Sequence, residues 1–340
     1  MQQIGVGVIG LGTWGETHLK AFTSHPGARL IGVCDSNAAL AKQRANEYGA
    51  SFVTADYRAL LARDDIGAVG IATPDFLHRD MAIAAAEAGK HILLEKPMAT
   101  TVEDCLAIQA AAETAGTKLM VDFHNRFSPP FLQMKAAIEA GEMGELQLIS
   151  LRLNDTIFVP TQMLSWAARS TVAWFIGSHS VDLVRWLSGE EVEQVYAVSR
   201  SRVLAARGVD TPDFYLTSLE LSGGLVAQIE NCWILSEQYP TVFDFKAEVV
   251  GSRGTMMADV STHRMVQKYT EDTAMYPDVI GTPDVHGRPT GFAIESIRHF
   301  VDCIVGDKEL VVTAADGIAA TRVICAIEES ARTGAPVSLT

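Results

Sequence analysis

The sequence has few of the features that mark a nucleic-acid-binding or membrane protein. Its formal net charge is −14, and Lys and Arg form no run, whereas binding to a phosphate backbone depends on clustered basic side chains. No apolar stretch is long enough to span a bilayer. The opening Met-Gln-Gln lacks the positive charge of a signal peptide. We therefore expect a cytoplasmic protein with a small-molecule partner, and neither nucleic acid nor membrane.

Cysteine is also scarce, and its spacing excludes two further classes of site. The five cysteines are scattered and include no CxxC pair; they are Cys34, Cys105, Cys232, Cys303 and Cys325. Free thiols in a reducing compartment are the simplest interpretation. The chain shows no His, Cys and Glu cluster with metal-ligand spacing. We therefore predict no metal cofactor.

What the sequence does contain is an α/β pattern. With 340 residues, the chain is long enough for about two domains. Short apolar runs alternate with helical stretches in the first part of the chain; they lie at residues 4–9, 30–34, 68–72, 91–94 and 118–123. Apolar strands separated by helices predict a doubly wound parallel sheet of the Rossmann type over residues 1–123.

A glycine pattern between the first strand and the first helix predicts a dinucleotide site. Gly10, Gly12 and Gly15 form GxGxxG, which suits a tight turn, close approach of the pyrophosphate and packing of helix on strand. Asp35 stands 20 residues after Gly15, where a carboxylate accepts hydrogen bonds from the adenosine ribose. It would repel a 2'-phosphate, and no Lys or Arg follows before Lys42. We expect NAD, with NADP less favoured.

Four motifs carry a resemblance to a known family. They are GLGTWGETH at residues 10–18, TPDFLH at 73–78, AGKHILLEKP at 88–97 and GSHSVDLVRWLSGE at 177–190. With them the chain resembles the glucose-fructose oxidoreductase, inositol dehydrogenase and rhizopine-catabolism (Gfo/Idh/MocA) family, nearly from end to end. The resemblance implies an N-terminal Rossmann domain, residues 1–123. It also implies a C-terminal α/β domain with an open, mostly antiparallel sheet, residues 124–340, for substrate binding and oligomerisation.

The resemblance also implies roles for individual residues. The Lys of the EKP motif, here Lys96, lies near the nicotinamide ribose and the reacting hydroxyl in the family. Pro97 keeps Lys96 out of helical geometry at the end of a strand, which agrees with that role. The full set of expected cofactor-binding residues is Gly10, Gly12, Thr13, Trp14, Gly15, Asp35, Thr73, Pro74, His78, Glu95 and Lys96. The expected substrate-binding residues are Lys96, Arg126, Trp166 and His179.

The expected proton acceptor is His179, because Gly177, His179 and Asp182 match the GxHxxD pattern of the family. From the residues alone, His179 on an apolar helical stripe reads as a buried core histidine. Gly177 inside a helix suggests that another group approaches closely there. Relatives usually carry Asp four residues before the histidine, where this chain has Phe175. Asp182 shares a helical face with His179, so it either takes over part of that role or is structural.

The second half of the chain has strand-like and helical segments. Hairpins are predicted around residues 223–224 and 251–254, and helices over 172–188, 292–305 and 313–333. Helices would cover one face of the sheet, and the other face would pair subunits into a homodimer or homotetramer. Residues 261–290, which include His263, are expected to be irregular and either cover a site or cross the surface.

Together these features predict an NAD(P)-dependent dehydrogenase that acts on a hydroxyl-bearing carbon of a sugar, inositol or related polyol. In the expected reaction His179 accepts the hydroxyl proton and Lys96 stabilises the alkoxide. Two alternatives stay open at this point. One is an NAD-dependent glycosidase with transient redox chemistry, and the other is a non-catalytic dinucleotide-sensing regulator.

Overall fold

The computed structural model describes residues 3–261, 265–272 and 274–339, so His263 lies outside the described residues. The first part of the chain alternates strands and helices, as predicted. In chain order they are β1 (Ile4–Ile9), α1 (Thr13–Ser24), β2 (Ala28–Cys34), α2 (Ala38–Tyr48), β3 (Phe52–Thr54), α3 (Tyr57–Leu61), β4 (Ala68–Ile71), α4 (His78–Glu87), β5 (His91–Leu94), α5 (Val102–Ala115) and β6 (Leu119–Val121).

Strands β1 to β6 form one parallel sheet in the order β3-β2-β1-β4-β5-β6. This confirms the predicted doubly wound Rossmann sheet. The chain starts at the centre of the sheet and winds first to one edge and then to the other, so the carboxyl ends of β1 and β4 flank the crevice where such sheets bind ligands. The sequence pattern did not predict β3, since a strand of three residues carries too little periodicity to read.

The rest of the chain contains longer strands and four helices among the described residues. In chain order they are α6 (Pro129–Glu139), β7 (Leu146–Thr156), α7 (Ser178–Ser188), β8 (Val192–Arg200), β9 (Phe214–Leu221), β10 (Val226–Leu235), β11 (Phe243–Gly251), β12 (Thr255–Asp259), β13 (Lys268–Tyr269), β14 (Ala274–Met275), β15 (Asp284–Val285), β16 (Arg288–Pro289), α8 (Phe292–Val305), α9 (Ala314–Thr333) and β17 (Val337–Ser338). Strands β13 to β16 form two small two-stranded ladders. The segment over residues 261–290 is therefore less irregular than expected.

The second sheet has seven strands in the order β12-β11-β7-β10-β9-β8-β17. Strands β7 and β10 run parallel and the other neighbours antiparallel, which confirms the expected, mostly antiparallel sheet. Along β9, buried residues alternate with exposed ones, as in a sheet with one covered face. On the covered face, the Ser330 hydroxyl of α9 accepts a 2.9 Å hydrogen bond from the Ala197 N–H of β8.

The chain folds into two compact units, which differ from the predicted domains of residues 1–123 and 124–340. The first unit is Met1–Phe127 with Ile280–Ile318, and the second is Ser128–Val279 with Ala319–Thr340. The return of Ile280–Ile318 to the first unit has a packing reason. Helix α8 packs on α1, and its Ser296 hydroxyl donates a 2.5 Å hydrogen bond to Asp122. Local sequence patterns do not show that residues 280–318 pack with a unit formed by residues so distant in the chain.

Within the described part of the chain, no helix has both the length and the apolar character needed to cross a bilayer.

Candidate functional site

The turn between β1 and α1 is built by two glycines that pack directly against backbone. Gly10 has φ +85°, a conformation that residues with a Cβ rarely adopt. A Cβ on Gly10 would lie 2.6 Å from the Ala72 carbonyl oxygen, and one on Gly15 would lie 1.9 Å from the Gly10 carbonyl oxygen. The first contact holds the turn against the end of β4, and the second packs α1 close to β1. Both glycines have the roles expected for a dinucleotide-binding turn.

Gly12 differs from its two partners because it faces open space. A Cβ built on it would meet no atom of the described residues within 4 Å. Gly12 directly precedes α1, and the unbonded N–H groups of a helix amino terminus attract phosphate. Thr13 and Trp14 form the first turn of that helix. The space over Gly12 therefore fits a pyrophosphate that approaches the backbone.

Asp35 closes the same turn from the end of β2. Its Oδ2 accepts a 2.8 Å hydrogen bond from the Leu11 N–H, and its Oδ1 accepts one of 2.8 Å from the Asn37 N–H. These bonds fix the carboxylate beside the glycine turn. Each carboxylate oxygen has a second acceptor position, so Asp35 still has capacity to bind a ribose hydroxyl. The geometry suits an unphosphorylated ribose and hence NAD.

Thr73 and Pro74 lie in the loop after β4, and His78 is the first residue of α4. The two ring nitrogens of His78 lie 2.9 Å from the Thr73 carbonyl oxygen and 2.8 Å from the Pro97 carbonyl oxygen. The residue is only 1% exposed, so its ring has little surface left for a cofactor. His78 thus links the segments that follow β4 and β5, while its expected contact with the cofactor stays a prediction.

Glu95 and Lys96 come directly after β5, and both are buried. Lys96, which is 7% exposed, is joined to Pro97 by a cis peptide bond. Glu95 points to His18 of α1, whose Nε2 lies 3.1 Å from Glu95 Oε1. The expected contact of Glu95 with the cofactor stays a prediction. The role of Lys96 at the cofactor stays a prediction.

The structure assembles a buried polar cluster that local sequence patterns did not predict. His18, Glu95 and Asp122 place their ligand-type atoms within 4.8 Å of one another, and all three residues are buried. They are too far apart in sequence to form a motif, and only the parallel sheet brings β5 and β6 beside α1. The expectation of no metal-type cluster rested on local spacing alone, and local spacing does not detect such a group.

Trp14 and Arg126 have partners in the first unit. The Trp14 ring stacks on His124, with ring centroids 4.7 Å apart. Burial lowers the pKa of His124 to about 4, against the opposing effect of Glu95, so this ring is neutral near pH 7. Arg126 is buried and forms a 2.8 Å ion pair with Asp316. The pair explains its burial structurally, while a substrate-binding role for Arg126 stays a prediction.

In the second unit, a π-helical turn at Ala173–Gly177 leads directly into α7. The predicted helix over 172–188 is thus interrupted, and π-turns of this kind are frequent at functional sites. His179 lies in the first turn of α7 and is buried, as is Asp182. A Cβ on Gly177 would lie 2.9 Å from Asn231 Oδ1. The close approach predicted from this glycine is confirmed, and the approaching group is Asn231.

Phe175, which stands where relatives usually have Asp, belongs to an aromatic cluster. Its ring centroid lies 6.0 Å from that of Trp166 and 5.7 Å from that of Trp233. The Trp233 indole N–H donates a 3.2 Å hydrogen bond to the buried Asp155. An apolar ring fits between these two indoles, whereas a carboxylate there would lose solvation. Trp166, an expected substrate-binding residue, is half-buried at this cluster.

Comparison with known proteins gives matches over both parts of the chain. The family model described as "Oxidoreductase family, NAD-binding Rossmann fold" matches residues 4–123, and that of the "GFO/IDH/MocA C-terminal domain" matches residues 131–257. The chain is 30% identical to the scyllo-inositol 2-dehydrogenase (NAD(+)) of Bacillus subtilis (strain 168), over 99% of this chain and 96% of that protein.

Two further comparisons bear on substrate and fold. The levoglucosan dehydrogenase of Pseudarthrobacter phenanthrenivorans is 36% identical over 207 residues, which cover 56% of this chain and 52% of that protein. The fold is similar to a crystal structure of scyllo-inositol dehydrogenase from Lactobacillus casei with bound NAD(H) and scyllo-inositol. The TM-score is 0.85 at 21% identity, with 99% of each chain covered.

Proposed function

The chain belongs to the Gfo/Idh/MocA family of NAD-binding oxidoreductases, and we propose that it oxidises a secondary hydroxyl group of a cyclic polyol, with inositols as the first candidates. The observation that carries this proposal is the glycine turn, in which Gly10 and Gly15 abut backbone while Gly12 opens onto free space. A relative that matches nearly the whole chain is a scyllo-inositol 2-dehydrogenase, which supports an inositol as substrate.

The residues of the first unit would bind NAD and hold the substrate oxygen. The glycine turn and the amino terminus of α1 would bind the pyrophosphate, and Asp35 the adenosine ribose. When bound, NAD accepts a hydride from the carbon that is oxidised. Lys96, with its positive ammonium, would stabilise the negative charge that develops on the substrate oxygen. Burial strengthens that effect because little water screens the charge.

The residue proposed to move a proton is His179 in the second unit. A neutral imidazole accepts a hydroxyl proton readily near neutral pH. His179 is buried in the first turn of α7, directly after a π-helical turn, where the surrounding residues restrict its motion. Asp182 would either help to orient this imidazole or serve the packing of α7.

A panel of substrates with NAD and NADP tests the proposal. We expect NADH to accumulate with scyllo-inositol or myo-inositol, and less or none with levoglucosan and glucose, as measured by absorbance. Accumulation of NADH with levoglucosan alone would indicate that the substrate is an anhydrosugar and not an inositol. Sugar release from a glycoside without net NADH would support the glycosidase. NAD binding without turnover on any compound would support a sensor.

We also propose that the chain forms a homodimer or homotetramer through the uncovered face of the second sheet. This face exposes apolar side chains on several strands, namely Leu148, Leu216, Val226 and Met257. Exposed apolar patches of this kind mark association surfaces. Light scattering after gel filtration should give the mass of an oligomer, and Met257→Glu with Leu216→Glu should reduce it to the monomer. A monomeric wild-type protein would contradict this proposal.

A further inference from the structure

The cluster of His18, Glu95 and Asp122 is fully shielded from water and contains more acid than base. His18 and Asp122 are 0% exposed. The Asp122 N–H donates a 2.8 Å hydrogen bond to the Leu94 carbonyl oxygen, which places Asp122 beside Glu95 at the ends of two adjacent strands. Two buried carboxylates with one imidazole would carry net negative charge if both were ionised, and an uncompensated buried charge is strongly unfavourable.

The contacts of His18 indicate where the proton of this cluster is bound. His18 Nε2 lies 3.1 Å from Glu95 Oε1, so its N–H donates to that carboxylate. His18 Nδ1 has no hydrogen-bond partner among the described residues and faces Gly70, where an added Cβ would lie 2.4 Å from it. An imidazolium would leave the Nδ1 proton without an acceptor. His18 is therefore a neutral donor to an ionised Glu95.

Asp122 has one bonded oxygen and one that has no partner. Its Oδ1 accepts the 2.5 Å hydrogen bond from Ser296. Its Oδ2 has no hydrogen-bond partner within the described part of the chain and lies 3.9 Å from His18 Nε2. An ionised carboxylate needs donors at both oxygens to be stable away from water. A protonated Oδ2 carries no charge, so burying it without a partner costs less than burying an anion there.

We propose that Asp122 is a buried carboxylic acid whose loss of a proton adjusts the charge that surrounds Lys96 during the proposed hydride transfer. With Asp122 neutral, Glu95 is the single carboxylate anion of the cluster, and it is balanced by the Lys96 ammonium. Asp122 acts through Lys96 and is a positioning residue. This inference rests on the proposed function only for the role of Lys96, because the protonation of Asp122 is a property of the fold.

The groups that face Asp122 come from α1, from α8 and from the segment after β5, and their effects agree with this assignment. Burial and the Glu95 charge raise the pKa of Asp122, and the Ser296 hydrogen bond and the Lys96 charge oppose them, so that the pKa is about 7. Burial also acts to raise the pKa of Glu95, but the hydrogen bond from His18 and the charge of Lys96 act against it, and that pKa is lowered. Of the two carboxyl groups, Asp122 is thus protonated and Glu95 ionised, as expected for two carboxyl groups close together.

The protonation itself is tested without any activity measurement. In protein labelled with carbon-13 at aspartate carboxyl groups, one NMR signal should titrate with a midpoint near pH 7 and should be missing from Asp122→Asn. Ser296→Ala should move that midpoint upward, because it removes a hydrogen bond that favours the anion. Asp64→Asn, a change at an exposed aspartate, should leave the signal unchanged. If the Asp122 carboxyl stays ionised from pH 5 to 8, because His18 holds the proton or a divalent cation binds, the proposal is wrong.

The effect on Lys96 is tested by a ratio of rates. We expect kcat of Asp122→Asn relative to wild type to rise on the order of tenfold as the pH passes through about 7. Only the wild type then gains a second negative charge that competes with the alkoxide for the ammonium. The ratio for Asp64→Asn should stay flat. If the NMR signal titrates but the Asp122→Asn ratio stays flat, the proposed effect of Asp122 on Lys96 is wrong. A wild type without turnover would refute the proposed function. The NMR result would still decide whether Asp122 is protonated.

Discussion

The glycine turn of the first unit and the histidine segment of the second unit are both built around glycine, but for different reasons. Gly10 and Gly15 lie against backbone atoms that cannot move, so their positions follow from the path of the chain. Gly177 lies against the side chain of Asn231, which belongs to strand β10. The comparison teaches that the cofactor end of this protein is specified by local backbone geometry, whereas the histidine end depends on side chains that only the tertiary fold brings together.

The largest effect should come from the histidine segment. His179→Asn removes the proposed proton acceptor, and kcat should fall by about 10²–10⁴-fold, with little change in NAD affinity. His286→Asn, at an exposed residue with φ +52°, is the matched control because Asn tolerates that conformation. Steady-state kinetics with an active polyol measures both. Normal turnover of His179→Asn would remove this residue from the mechanism.

A somewhat smaller loss is expected at the cofactor end. Lys96→Ala should lower kcat by about 10²–10³-fold, because the charge that stabilises the alkoxide is lost. The Kd of NAD, measured by calorimetry, should change much less. Lys42→Ala, at an exposed lysine, should behave as wild type. Equal losses in turnover and NAD affinity would mean that Lys96 serves cofactor binding alone.

The glycines themselves provide a sharper test of the same comparison. Gly15→Ala should destabilise the fold by about 1–3 kcal/mol, since its methyl group would collide with the Gly10 carbonyl. Gly12→Ala has room in the folded protein, so its Tm should match wild type while the Kd of NAD rises on the order of tenfold. Tight NAD binding by Gly12→Ala would place the pyrophosphate elsewhere.

The aromatic cluster predicts a further difference between two variants of one residue. Phe175→Leu should lower the free energy of unfolding by about 1 kcal/mol. Phe175→Asp, which restores the usual family residue, should lower it by about 3 kcal/mol or more because a carboxylate would lie between two indole rings. Urea denaturation compares the two. If Phe175→Asp were as stable as Phe175→Leu, the site would have room for the carboxylate after all.

The protonation of Asp122 also predicts a dependence of stability on pH. The pKa of Asp122 is about 7 in the folded protein and about 4 in an unfolded chain, so the folded state holds a proton that the unfolded state releases between these values. Its contribution to stability is therefore fully present below about pH 4 and is lost as the pH rises to about 7. The free energy of unfolding of wild type relative to Asp122→Asn should decline across this window and then level off. A constant difference would contradict a protonated Asp122.

Much of this molecule could be predicted from sequence, for physical reasons that particular residues illustrate. The Rossmann sheet could be predicted because its strands are apolar runs. The roles of Gly10, Gly12 and Gly15 could be predicted because each meets a local backbone requirement. Gly177 predicted a close neighbour without naming Asn231. The buried His18, Glu95 and Asp122 cluster, the π-helical turn and the return of α8 to the first unit could not be predicted, since each depends on contacts between residues distant in sequence.

The central claim is that a hydride passes from a polyol carbon to NAD, and isotope transfer tests it most directly. The purified protein would be incubated with NAD and an inositol deuterated at its ring carbons, and the recovered cofactor examined by mass spectrometry. We predict that the reduced cofactor carries deuterium and that kcat falls relative to the undeuterated inositol. Oxidised inositol together with a reduced cofactor free of deuterium would contradict direct hydride transfer.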